Sequence, residues 1–116
     1  MNPAAPAAGT ILCRLDELND PGAKGFRFRE GDALFGGFVV RKDGAVRGFV
    51  DSCPHAGLPM ATLDDRYLTR EGDLILCTGH GALFRPDTGE CVAGPCVGRA
   101  LTRWPVIVQD GEVVVA

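Results

Sequence analysis

Long apolar runs are missing: none among the 116 residues approaches the roughly 18 that a spanning helix needs. Positive charge is not in excess either. Lys and Arg number 12 against 15 Asp and Glu, a net charge of −3, which disfavours a nucleic-acid binder working through bulk positive charge. No membrane or nucleic-acid partner is expected. Sustained helical periodicity is absent, as are internal repeats and low-complexity segments. The opening stretch, Met1-Asn2-Pro3-Ala4-Ala5-Pro6-Ala7-Ala8, has no basic start and no apolar core of signal-peptide length. The expectation is a cytoplasmic protein, in which five cysteines serve as thiols or metal ligands instead of a disulfide framework. Histidine is scarce, with two in the whole chain.

Glycine is abundant. It supplies 16 residues, about twice the usual share of roughly 7%, and with 8 prolines it points to short strands and many turns. The length suits one domain, with residues 1–9 as a flexible Ala/Pro arm and 10–116 as the folded unit. Thr10 to Leu15 reads as a first strand, and Asp16 to Lys24 as a polar, turn-rich stretch broken at Pro21-Gly22. Phe26 and Phe28 alternate with Arg27 and Arg29, the period of a strand with one wet face. Leu34 to Arg41 and Ala45 to Asp51 flank the turn Lys42-Asp43-Gly44, and Asp73 to Cys77 is a further apolar run. Trp104 to Val108 and Glu112 to Val115 flank Gln109-Asp110-Gly111 in the same way. The fold class is all-β, with stacked antiparallel sheets.

Two Gly/Pro-rich stretches break this rhythm, 53–60 and 77–84, and a third follows at Gly94-Pro95-Cys96-Val97-Gly98. Each of the first two carries one of the two histidines just after a cysteine: Cys53-x-His55 and Cys77-x2-His80. Two thiolates and two imidazoles suit a metal centre, and that donor set narrows it to iron–sulfur or zinc. Glycines 57, 79 and 81 let the backbone approach an inorganic group closely and aim N–H groups at it. Zinc is the rival. The short Cys53-x-His55 step is unlike the usual finger spacing, and no helix follows to carry a histidine pair.

Cys-x-His followed by Cys-x2-His, each opening a Gly-rich loop of a β domain, resembles the Rieske [2Fe–2S] proteins, above all the small single-domain Rieske ferredoxins. The resemblance runs from about Thr10 to Val115 and includes His80-Gly81-Ala82-Leu83-Phe84, Asp87-Thr88-Gly89 and Gly94-Pro95. It implies one [2Fe–2S] cluster per chain in a small cluster-binding subdomain. Cys53 and Cys77 would hold the inner iron, and His55 and His80 the outer one through their δ nitrogens. It also implies a one-electron carrier, not an enzyme in itself, meeting a reductase and a terminal oxygenase or similar acceptor transiently. High-potential members join their two cluster loops by a disulfide; the matching positions here are Leu58 and Gly79. Those members also present serine and tyrosine hydroxyls to sulfur where this chain has Ala82 and Phe84. Fewer hydrogen bonds to sulfur imply a potential near the low end of the Rieske range, about −150 mV. An electron added beside neutral imidazoles raises their pKa, so the potential is expected to fall with rising pH.

One departure is the 21 residues between His55 and Cys77, more than ferredoxin-type members usually have, with the extra length assigned to 64–72. The charged stretch from Asp64 to Asp73 could steer a partner. Pro54, Ala56, Leu58, Pro59 and Pro95 would form an apolar docking tip around the imidazoles. Rieske oxygenases need a second iron held by two more histidines, and this chain has none left. Two other functions fit the same cluster: a redox- or oxygen-sensing module, and a small Rieske-like subunit of a reductase such as nitrite reductase. Cys13 reads as a buried thiol, and Cys91 and Cys96 as core thiols or a nearby pair able to oxidise. Trp104 and the six phenylalanines read as core.

Overall fold

The structure is a computed structural model that describes residues 2–54, 65–78 and 81–116. Among the described residues nine strands form three antiparallel sheets of three. The middle sheet consists of β2 (Gly22–Glu30), β3 (Ala33–Lys42) and β4 (Ala45–Val50). A second sheet has the order β1 (Ile11–Arg14), β9 (Glu112–Val115), β8 (Val106–Gln109). The third joins β5 (Ile75–Leu76), β6 (Leu83–Phe84) and β7 (Cys91–Ala93). The all-β expectation holds. The one helical element among the described residues is a single 3-10 turn, Leu15–Glu17, and no helix there is long and apolar enough to cross a membrane.

The two aspartate–glycine turns are those expected from sequence. Asp43 and Gly44 have φ of 54° and 81°, and Asp110 and Gly111 have 53° and 76°. Both residues of each pair are therefore left-handed, which a two-residue hairpin requires if its strands are to keep their native twist. The turns pin the registers Lys42↔Ala45 and Gln109↔Glu112. Three expectations are corrected. The second strand begins at Gly22, because its pairing with Arg41 in β3 runs back to the residue after Pro21. The last hairpin begins at Val106, two residues later than expected. Leu83 and Phe84, assigned to a loop, form β6 between β5 and β7.

The middle sheet separates two cores, and β3 serves both. Phe35 and Val39 face one side, where they pack with Ala4, Cys13, Leu18, Trp104, Val113 and Val115. Phe38 and Val40 face the other, with Phe49, Cys53, Tyr67, Ile75, Cys77, Ala82, Phe84, Cys91, Cys96 and Leu101. Successive side chains of a strand point to opposite faces, so one apolar run can fill two layers only if both faces are covered. Burying each of these large side chains stabilises the fold by roughly 1.5–3 kcal/mol.

Trp104 fills the first core, edge-on to Phe26, Phe28 and Phe35 at centroid distances of 6.2, 6.3 and 5.3 Å. Its ring lies on Gly37, where any Cβ would run into it. Gly36, the residue before it, has room: a Cβ there would meet the Asp51 side chain at ordinary contact distance, Cβ at 3.4 Å and Oδ2 at 4.0 Å. Gly37→Ala is expected to cost about 1–3 kcal/mol in urea unfolding through overpacking, while Gly36→Ala stays within about 0.5 kcal/mol. Equal losses in the two variants would mean that the Trp104 contact is not what demands glycine.

Candidate metal centre

Three loops converge at the end of the second core. The first leaves β4, where the Val50 N–H donates to the Thr102 carbonyl at 2.8 Å and the Asp51 N–H to the Gly36 carbonyl at 2.9 Å. These bonds carry the chain off the sheet and bring Cys53 into the core, fully buried. The second leaves β5. The Cys77 N–H donates to the Ala82 carbonyl at 2.9 Å, and the Gly81 N–H returns to the Cys77 carbonyl at 2.8 Å. That reversal is tight enough to put Gly81 at a φ of 72°, where a side chain is disfavoured. Cys77 is buried at its base, 1% exposed. His55 and His80, and with them Ala56, Leu58, Pro59 and Gly79, lie outside the described residues. Among the described residues no three potential ligands are grouped; the expected set is complete only with both imidazoles.

The third loop, 94–98, is tied to the other two. Gly94 lies so close to Ala82 that a Cβ would stand 2.8 Å from the Ala82 Cα. Arg99 donates through Nη1 to the Pro54 carbonyl at 3.0 Å, between the Cys53 and His55 positions. Cys96 is buried against Cys91, its thiol donating to the Cys91 sulfur at 2.9 Å. Burial, then the sulfurs of Cys91 and Cys53, push the Cys96 thiol up to about 12. Sequence reasoning missed Arg99 altogether, because an arginine in a Gly-rich loop reads as solvated surface.

It also missed the Tyr67–Asp51 pair. The described part of the long segment is not an open loop: the Leu76 N–H donates to the Tyr67 carbonyl at 2.8 Å, and Leu68 bridges to Ile75. Asp65 accepts from the Gly25 N–H at 2.7 Å. Tyr67 therefore enters the core, stacked on Phe38 at 4.3 Å with an 8° tilt. Its hydroxyl donates to Asp51 Oδ2 at 2.8 Å, two residues before Cys53. The only tyrosine of the chain was the available signal.

Comparison with known proteins gives a consistent picture. A family model for the Rieske [2Fe–2S] domain matches residues 10–112. No curated protein matches the sequence. Among solved structures, the ferredoxin of carbazole 1,9a-dioxygenase from Nocardioides aromaticivorans IC177 is similar at 25% identity and a TM-score of 0.73, over 95% of this chain and 98% of that one. A chain from the complex of reduced oxygenase and oxidised ferredoxin in carbazole 1,9a-dioxygenase matches at 25% identity and a TM-score of 0.70, over 91% and 90%. The terminal oxygenase of carbazole 1,9a-dioxygenase from Novosphingobium sp. KA1 shares the fold, at 22% identity and a TM-score of 0.71, but only 30% of it is covered.

The Tyr67–Asp51 bond gives a pH test. Burial first, then the hydrogen bond and charge of Asp51, raise the Tyr67 phenol above its ordinary value. A raised folded value means that this stabilisation is complete below the unfolded phenol pKa, about 10, and is lost as pH rises through the folded value. Tyr67→Phe is expected to cost about 1–3 kcal/mol at neutral pH, by leaving a buried carboxylate one donor short. In urea unfolding followed by circular dichroism, the wild-type advantage should shrink above about pH 10. A gap that stays constant with pH would assign the loss to packing alone.

Proposed function

The chain belongs to the Rieske [2Fe–2S] domain family, and on that premise we propose that it carries one electron at a time from a reductase to a terminal oxygenase or similar acceptor, with Cys53, His55, Cys77 and His80 as ligands of a single cluster. The observations that support this reading are the Rieske-domain match over residues 10–112 and the structural likeness to a ferredoxin of an oxygenase system. The described residues fit such a group. Two thiol sulfurs buried at the bases of two loops are soft donors kept from water. Gly94 leaves no more than a hydrogen between the third loop and the second. When bound, the cluster supplies a one-electron couple.

The protein's own residues determine how that couple behaves. Ala82 and Phe84 are both fully buried in the second core and bring no hydroxyl to donate to sulfur. The reduced state lacks that stabilisation, which places the potential near the low end of the Rieske range, about −150 mV. Arg99 holds the backbone of the first loop at Pro54, the residue after Cys53. Half-buried Pro54 and exposed Pro95 and Val97 supply an apolar rim where the loops meet. Brief redox encounters on such rims bury less than about 1,200 Å². A cytoplasmic setting suits five cysteines that are all thiols.

An anaerobic redox titration followed by electron paramagnetic resonance tests the proposal. A one-electron transition near roughly −150 mV with a Rieske-type signal is expected, and His55→Ala should abolish that signal. Purified protein carrying zinc, with neither iron nor sulfide, would overturn it.

A further inference from the structure

Cys91 and Cys96 are not needed as ligands under this assignment, yet their side chains meet. Cys91 opens β7 and Cys96 lies in the third loop. Two backbone bonds fold the segment back on itself: the Cys91 N–H donates to the Arg99 carbonyl at 2.9 Å, and the Arg99 N–H to the Cys96 carbonyl at 2.9 Å. The two sulfurs stand 2.9 Å apart. The Cys91 thiol itself points to the Ala93 carbonyl at 3.2 Å. Closing from there to the roughly 2.05 Å of a disulfide is a small side-chain movement.

We propose that Cys91 and Cys96 form a reversible disulfide when the protein meets hydrogen peroxide, making a redox-controlled clasp on the loop that rests against Cys53. The bonds order the steps. Cys96 presents its proton to the Cys91 sulfur, which favours the Cys91 thiolate. That thiolate attacks one peroxide oxygen, the O–O bond breaks, and the departing hydroxide takes up the proton that Cys91 has lost. That step yields a Cys91 sulfenic acid and one water. The Cys96 sulfur then attacks the Cys91 sulfur. The S–O bond breaks, and the hydroxide leaves as a second water with the Cys96 proton. In sum, two thiols and one peroxide give one disulfide and two waters; the sulfurs lose two electrons and the peroxide gains them.

The choice of peroxide rests on the low-potential carrier reading, because such a donor leaks electrons to dioxygen; the clasp itself rests on the sulfur geometry. The disulfide would hold the loop that touches Ala82 through Gly94 and Pro54 through Arg99. It would therefore brace the cluster end through the third loop, in a chain whose Leu58 and Gly79 leave no staple between the first two.

Peptide mapping of the cluster-loaded protein tests this. Cleavage after Glu90 and Glu112 frees peptide 91–112, which holds Cys91 and Cys96 and no other cysteine. After peroxide treatment and acid quenching, that peptide should become mainly a form lighter by two hydrogens and closed to iodoacetamide. Dithiothreitol should reopen it, and Cys96→Ser should prevent its formation. Two alkyl groups on the peptide at every peroxide dose, or a Cys96 link to Cys53, would overturn the proposal. The result is read from mass, so it stands or falls separately from the redox titration.

Discussion

Everything in this fold depends on one strand being buried on both faces. Phe35 and Val39 of β3 anchor one core, and Phe38 and Val40 anchor the other. A strand in that position cannot shift register by one residue without moving each set into the wrong layer. The aspartate–glycine turn at Asp43-Gly44 sets the pairing with β4. Trp104 lying on Gly37 then seats the core shared with the terminal sheet against β3, because the ring fits only where a side chain is missing.

The functional end is built on the second of those cores. Its buried members include Cys53 and Cys77 together with Phe38, Phe49 and Phe84, so the thiols sit on a packed floor and not on free loops. Short strands β5, β6 and β7 have few ladder bonds of their own and take their stability from that floor. Third-loop contacts then fix the relation between the first two: Gly94 to Ala82, Arg99 to Pro54, and Cys96 beside Cys53. A centre that exchanges electrons benefits from such rigidity, since small reorganisation on gaining charge keeps transfer fast.

Several features were legible residue by residue. The two hairpins follow from Asp-Gly pairs between alternating apolar runs, where local sterics decide the outcome. The two cysteine–histidine pairs stood out because histidine occurs nowhere else. Leu83 and Phe84 were not legible as a strand. Two residues carry no periodicity, and β6 exists only because β5 and β7 flank it. Tyr67 likewise sits in a charged stretch that reads as surface, and only its stacking on Phe38 and its bond to Asp51 give it an interior role. The approach of Cys91 to Cys96 was one of two open readings until backbone bonds around Arg99 folded the segment.

The sequence by itself determined the all-β class, the turn positions and the donor chemistry, since those rest on local backbone preference and on residue type. Tertiary structure alone decided how the strands divide into sheets, which face of β3 serves which core, and which loop residues clamp the site. The reason is physical. Turns and ligands are short-range properties of neighbouring residues, whereas Arg99 reaching Pro54, or Tyr67 reaching Asp51, depends on packing between segments that are distant along the chain.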